Sequence, residues 1–355
     1  MRFNRKFWIL IIGLLAACAG LPSCTKKEGA GNAERYVNLA VWSNYVIPET
    51  LAKFTQQTGI KIRVSNFSSN EELLAKLQAG ASGFDVIVPS DYMVFTMSKL
   101  GLLAPLDHAK IPNERSIYPK YLKKKYDPDN KYSLPLDWGT TGIALNRDLF
   151  QGKLTGWKGL FNNPELKGKI SLLDDPRETI GAALKSLGFS LNSKNPEEID
   201  QAKTLLISVR GRVKAFNSET KMALVNSEIA IAHAYMTDAL GARKTNKKIE
   251  YFVPEEGGTF WVDNLAIPAT SPHQSEAHEL VNFLIEGQTV LTMVVNLWVA
   301  PTNQKTFELL PSEIKSDRAL FPKDELLAKS EMIEDLGEAL TLWDRAWTEI
   351  KARKD

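Results

Sequence analysis

The chain has 355 residues, and its 44 Lys and Arg against 42 Asp and Glu leave a formal charge of +2, with no long basic run to track a nucleic-acid backbone. Only two cysteines are present, so a disulfide-built scaffold is excluded and stability must come from a packed core. Beyond position 36 about 320 residues remain, which is long for one core and favours two domains.

At the start, Arg2, Arg5 and Lys6 precede an apolar run over 7–17 that only Gly13 interrupts, and Leu21-Pro22-Ser23-Cys24 follows. This basic head, short apolar core and small residues before a cysteine resemble a bacterial lipoprotein signal, 1–23, cleaved ahead of Cys24, whose sulfur is then lipidated. Pro22 is unusual for that motif. An ordinary cleaved signal and an uncleaved anchor are the alternatives, and each exports the chain. Removing 1–23 takes away Cys18 and three basic residues, leaving 41 basic against 42 acidic; lipidation consumes Cys24, so no internal disulfide is expected. The polar stretch 24–36 reads as a flexible tether that reaches on the order of 20 Å.

The spacing then predicts a strand over 37–42, a helix from Pro48 to 57 that Gly59 stops, and a second strand over 60–67. Ser69 and Glu72 read as a capping box for a helix over 71–79, and 84–88 as a buried strand ended by Pro89. Strand and helix in alternation imply a parallel sheet with right-handed crossovers and a ligand beyond the carboxyl ends of its strands. The stretches there are Trp42-Ser43-Asn44-Tyr45 and Pro89-Ser90-Asp91-Tyr92. A second α/β block follows Asp137-Trp138-Gly139-Thr140: a strand over 169–173, a helix from Asp175-Pro176-Arg177-Glu178 to about 187, a helix over 196–209, and strands over 228–235 and 249–253. Helices over 273–286 and 289–297 and a last long one over 333–353 complete the chain. There is no internal repeat, and no apolar run after the signal is long enough to span a membrane.

The most informative stretch is Glu256-Gly257-Gly258-Thr259-Phe260-Trp261-Val262-Asp263-Asn264-Leu265-Ala266-Ile267-Pro268. In an extended strand Trp261 and Asp263 share a face. A ring beside a carboxylate suits an organic cation, with charge-assisted hydrogen bonds and a cation-π attraction of roughly 0.5 to 2 kcal/mol. A core tryptophan with an aspartate capping the next turn is the alternative.

With Leu39-Ala40-Val41-Trp42-Ser43-Asn44-Tyr45-Val46, Gly59-Ile60-Lys61, Phe84-Asp85-Val86-Ile87-Val88-Pro89-Ser90, Glu255-Glu256-Gly257-Gly258, Phe260-Trp261-Val262-Asp263 and Arg345-Ala346-Trp347-Thr348, the chain resembles the spermidine/putrescine-binding proteins of polyamine ABC importers along nearly its whole exported length. The resemblance implies an α/β, two-lobed periplasmic-binding-protein fold of type II, each lobe a mainly parallel sheet flanked by helices, with the ligand in the interlobe cleft. Lobe 1 would comprise 37–139 and 262–307, and lobe 2 would comprise 140–261 and 308–355, with crossings near Thr140, over 259–263 and near 307–311. It also implies a monomer that captures a polyamine and delivers it to membrane permease subunits, with no cofactor, metal or nucleic acid. By the same resemblance Trp42, Tyr92, Tyr235 and Trp261 would wall the cleft beside Tyr45. Asp175, Glu178, Asp238 and Asp263 would supply its acids, and Ser43, Asn44 and Ser90 neutral hydrogen bonds.

Plainer roles exist for several of these. Asp175, Pro176 and Glu178 make a good helix cap, Asp238 is placed to cap after a strand, Trp42 and Tyr92 suit hinge packing, and Ser43 and Ser90 suit turns. The chain also departs from the family pattern: Asn44 stands where an acid is usual, Val299 where spermidine-type members have a tyrosine, Ile333 where they have a glutamine, and Tyr235 replaces a tryptophan. Asp238 resembles an acid of the putrescine-type members, and Trp298 is a candidate for the missing wall. Catalysis is not indicated: His108, His233, His273 and His278 lack metal-ligand spacing, and Gly257-Gly258 precedes a strand rather than a helix. The alternatives are the same fold holding an amino acid derivative or a sugar, or a surface lipoprotein acting as sensor or adhesin.

Overall fold

In the computed structural model, ten strands among the described residues join in one sheet: β1 (Tyr36–Trp42), β2 (Lys61–Phe67), β3 (Val86–Ile87), β4 (Ser133–Asn146), β5 (Ile170–Leu172), β6 (Val213–Phe216), β7 (Ile231–Tyr235), β8 (Ile249–Phe252), β9 (Thr259–Ala266) and β10 (Ala300–Pro301). The described residues are 34–43, 45, 47–80 and 83–352; the signal, Cys24, the tether up to position 33 and Asn44 lie outside them. The fold is the α/β two-lobed one. One parallel trio, β2-β1-β3, belongs to the first lobe and another, β7-β5-β6, to the second. The two trios hang on the antiparallel pair β4 and β9. Along β4 the first half is flanked by β9 and β10 and the second half by β8 and β7, so this strand passes from one lobe to the other.

Local signals place many of the elements. The helix Pro48–Thr58 starts on a proline and ends on Gly59, whose φ of 72° lets its N–H reach the Thr55 carbonyl. Only half of the capping box at Ser69 forms: the Ser69 hydroxyl accepts from the Glu72 N–H at 3.1 Å, but the Glu72 carboxylate accepts from Ser68, its N–H at 2.8 Å and its hydroxyl at 2.7 Å. The helix Pro196–Val209 has the predicted bounds, whereas the strand predicted over 84–88 contracts to β3 and that over 228–235 to β7.

Two elements differ more. β4 was not anticipated, because Ser-Leu-Pro-Leu-Asp-Trp-Gly-Thr-Thr-Gly-Ile-Ala-Leu-Asn has no alternation and contains a proline, an aspartate and two glycines. Every residue of it is buried, and the register shifts between Pro135 and Asp137, where the proline has no N–H to give. The last helix is shorter than predicted, Leu340–Ala352 rather than 333–353. The backbone ahead of it is committed elsewhere: Glu331 exchanges hydrogen bonds with Gly258 and Phe260, the Glu334 carbonyl accepts from Arg177, and Gly337 sits at φ 57°.

The second lobe packs around Trp157, Leu160, Leu184, Leu206 and Trp343, whose indole N–H donates to the Ser193 carbonyl at 3.1 Å. Each such side chain contributes about 1.5 to 3 kcal/mol through burial. The first lobe packs around Val37, Phe54, Leu134 and Leu280, with Leu73 clustered with Met97 of the helix Asp91–Lys99. The segment 308–330 runs along the junction: Phe321 packs on Trp138 and Phe307, and Asp317 pairs with Arg243 of the helix Met236–Thr245. Among the described residues no single helix is long and apolar enough to cross a membrane.

Candidate functional site

The carboxyl ends of β1 and β3 in one lobe and of β5 and β7 in the other converge on the β4–β9 crossing. Asp263 on β9 is 5 % exposed and accepts from the Ser90 hydroxyl at 2.8 Å. Backbone bonds bind this corner together, the Asn264 N–H to the Pro89 carbonyl and the Val262 N–H to the Asp91 carboxylate at 3.1 Å. Directly across from Asp263 in the ladder is Asp137 of β4, fully buried, which accepts from the Tyr45 hydroxyl at 2.6 Å. Burial raises the Asp263 carboxyl to about 7 and, with the neighbouring Asp263 charge, holds Asp137 well above the carboxylate range. Burial likewise lifts Asp91 to about 8, with Asp263 and Glu178 adding to it.

A second acidic group faces this one from the helix Pro176–Ser186. Asp175 caps that helix, accepting from the N–H groups of Arg177 and Glu178 at 2.8 and 3.1 Å, and its other oxygen accepts from the Tyr235 hydroxyl at 3.3 Å. The cap reading and the cluster reading of Asp175 therefore describe the same carboxylate. Glu178 reaches both crossing strands, accepting from Thr141 at 2.9 Å and from Thr259 at 2.6 Å. Burial first and Asp175 second raise Glu178 to about 8, and burial raises Asp175. The one base among them, Arg177, turns its guanidinium to the Glu334 carbonyl and Asn192. From the first lobe, Tyr92 donates to Glu71 at 3.0 Å and accepts from Asn70 at 3.1 Å. Glu71 stays exposed at the rim, its carboxyl raised by the protein packed beside it and by Asp175 across the gap.

Aromatic faces complete the set. The Trp261 ring lies against Gly139 so closely that a Cβ there would overlap it, and Trp42 packs on Phe67 with ring centroids 4.6 Å apart. The indole N–H groups of Trp42, Trp261 and Trp298 are buried with no acceptor among the described residues. Trp298 faces the Arg243 guanidinium, 5.7 Å from its ring, while Val299 is fully buried in the core. Ser43 serves the turn after β1, donating to the Phe67 carbonyl. Asp238 stands apart from the other acids: its carboxylate caps the short helix Thr220–Val225, accepting from the Thr220 N–H at 2.8 Å. His233 is a core histidine, edge-on to Trp157, and burial lowers it to about 3. Among the described residues no group of three or more His, Cys, Asp or Glu side chains is placed to hold a metal ion.

Three members of the cluster were not singled out as ligand groups from sequence. Glu71 read as the first residue of a helix and Asp91 as a strand-end residue, and only the β4–β9 register brings Asp137 to Asp263. The one cue for Asp137 is an acid inside the otherwise apolar run 134–138.

Residues 49–322 match the family described as bacterial extracellular solute-binding protein. Spermidine/putrescine-binding periplasmic protein 1 of Haemophilus influenzae is 35 % identical over 361 residues, covering 99 % of this chain and 100 % of the relative. A solved spermidine/putrescine ABC transporter substrate-binding protein, PotD of Streptococcus pneumoniae, superposes with a TM-score of 0.80 at 32 % identity, over 89 % of this chain and 98 % of that one. The TpPotD lipoprotein of Treponema pallidum gives a TM-score of 0.80 at 26 % identity, over 90 % and 100 %.

Proposed function

The chain belongs to the bacterial extracellular solute-binding proteins, and on that premise we propose that it is the receptor of a polyamine importer, holding putrescine or spermidine between its lobes and presenting it to a membrane permease. One observation supports the reading above the others: Asp91, Asp137, Asp175, Glu178 and Asp263, all with carboxyls raised by burial, gather beside aromatic faces, with Glu71 at their exposed rim. Such a set is costly when empty, because each charge is desolvated and repelled by its neighbours. A flexible chain of methylenes with a positive charge at each nitrogen answers both needs: its ammonium groups meet the acids and its methylenes meet the rings. Ion pairs formed as the lobes close gain strength from the exclusion of water. Micromolar affinity requires about -8 kcal/mol net after the ligand is ordered.

In this reading the ligand contacts are Trp42, Ser43, Asn44, Tyr45, Ser90, Tyr92, Asp175, Glu178, Tyr235, Trp261 and Asp263, while Asp238, expected among them from the sequence, is committed to capping the helix Thr220–Val225. The lobes are 37–139 with 262–307 and 140–261 with 308–355, export is directed by 1–23, and a lipid on Cys24 tethers the receptor to a membrane. The relatives named above are binding components of transport systems, and no catalytic step is assigned. Titration calorimetry and thermal shift with putrescine, spermidine, glucose and an amino acid derivative test the reading. The polyamines should raise the melting temperature and the others should not, and Asp263→Ala should abolish measurable binding in a folded chain. Stabilisation by glucose alone, or undiminished affinity in the alanine variant, would overturn it.

A further inference from the structure

Asp137 and Asp263 are ladder partners on β4 and β9, so their side chains stand on the same face of the sheet as a directly opposed cross-strand pair. Two carboxylates so placed repel, and both are buried, Asp137 fully and Asp263 to 5 % exposure. Tyr45 stands beside them: its hydroxyl donates to Asp137 Oδ1 at 2.6 Å, and it acts electrostatically on Asp263 as well. Ser90 donates to Asp263 Oδ1 at 2.8 Å. The remaining oxygen of Asp137, Oδ2, is buried with no hydrogen-bond partner among the described residues. Behind Tyr45 the wall is largely apolar, formed by Val41, Ile47, Val88 and Leu136. The groups acting on the two acids are Tyr45 from the loop after β1, Ser90 ahead of the helix Asp91–Lys99 and Asp91 in its first turn, and none carries a positive charge.

We propose that Asp137 is a second cation-binding carboxylate of the cleft, and that Asp137 and Asp263 hold one shared proton when the cleft is empty and release it when an ammonium group takes its place. The step balances simply: the carboxyl O–H of the pair breaks, its proton passes to the buffer, and an ammonium N–H donates to the freed oxygen. This inference rests on the polyamine-receptor reading, and it adds that one end of the ligand meets two acids from two different strands. Like-charged carboxylates that cannot both ionise titrate as a pair, so the released proton belongs to the couple and not to either residue. The second acid also makes this end selective for a group that brings a full positive charge.

Calorimetric titration of the full chain with putrescine at pH 7, repeated in phosphate, HEPES and Tris, measures the proton directly from the slope of binding enthalpy against buffer ionisation enthalpy. The expected release is about half to one proton per ligand. Asp137→Asn should bring it close to zero and weaken binding about tenfold or more, while its unliganded melting temperature stays at or above that of the unsubstituted chain. A zero slope in the unsubstituted chain overturns the proposal without any variant, so it remains testable if Asp137→Asn does not fold. An unchanged slope in Asp137→Asn places the proton elsewhere and also overturns it. Failure of the unsubstituted chain to bind putrescine or spermidine would instead remove the receptor reading itself.

Discussion

Replacing Asp263 with asparagine should make the empty protein more stable and the receptor much weaker. Asp263 is 5 % exposed, and burial lifts its carboxyl from 3.8 to about 7 against the opposing hydrogen bonds of Ser90 and Tyr45. The folded chain, through the coupled pair of Asp263 and Asp137, therefore keeps a proton that the unfolded chain has already released; the stability present below about pH 4 is lost as pH rises through about 7. At about 1.36 kcal/mol per pH unit, the interval from 3.8 to about 7 is worth about 4 kcal/mol at pH 7.5. Asparagine has the same shape, carries no charge at any pH and keeps an oxygen for Ser90, while the weaker neutral hydrogen bonds cost about 1 to 2 kcal/mol. The net gain of about 2 to 3 kcal/mol corresponds to a melting temperature higher by about 3 to 6 °C at pH 7.5; the gain shrinks on acidification and changes sign near pH 4, where only the hydrogen-bond cost remains. Scanning calorimetry of both proteins from pH 4 to 8 reads this. At pH 7.5 the same substitution should weaken putrescine binding about a hundredfold or more in titration calorimetry. A variant that melts below the unsubstituted chain at pH 7.5, or a difference that does not shrink on acidification, would refute the claim that this acid is held against its solvation.

Gly139→Ala would force the Trp261 ring from its seat, because a methyl at 139 overlaps it; affinity for polyamines should fall about tenfold with a smaller effect on melting, as read by calorimetry and thermal denaturation. Gly257→Ala acts on stability instead: φ is 89° and the added carbon would overlap the Lys329 carbonyl, so a loss of about 2 kcal/mol or more is expected in urea unfolding. Asn44→Asp should change the order of preference among putrescine, cadaverine and spermidine in competition assays, and an unchanged ranking would count against a ligand contact at that position.

Much of the candidate site was legible because its residues sit where the chain punctuates itself. Trp42 ends β1 and Tyr45 follows it, Ser90 and Tyr92 follow β3, and Asp175 and Glu178 open a helix after β5, positions marked by proline, capping residues and the ends of apolar runs. Trp261 and Asp263 share a face through the period of two. Reading stopped where tertiary contacts replace local rules. β4 is long and buried despite Pro135, Gly139 and Gly142, because β9 on one side and β7 on the other satisfy its backbone and the glycines make room for Trp261, Tyr251 and Phe252. The last helix begins late because residues 331–334 give their backbone to Gly258, Phe260, Asn192 and Arg177.

Alternation of strands and helices, caps and aromatic-acid pairs along the chain was enough to determine an α/β protein with candidate ligand groups at its strand ends, since each of those signals acts over a few residues. Which acids face one another was decided only by folding. Asp137 and Asp263 are 126 positions apart and meet through the register of β4 on β9, while Glu71 and Asp175 come within electrostatic reach across the gap between the lobes. Strand register and lobe approach are set by packing summed over the whole sheet, and no local stretch of sequence carries that sum.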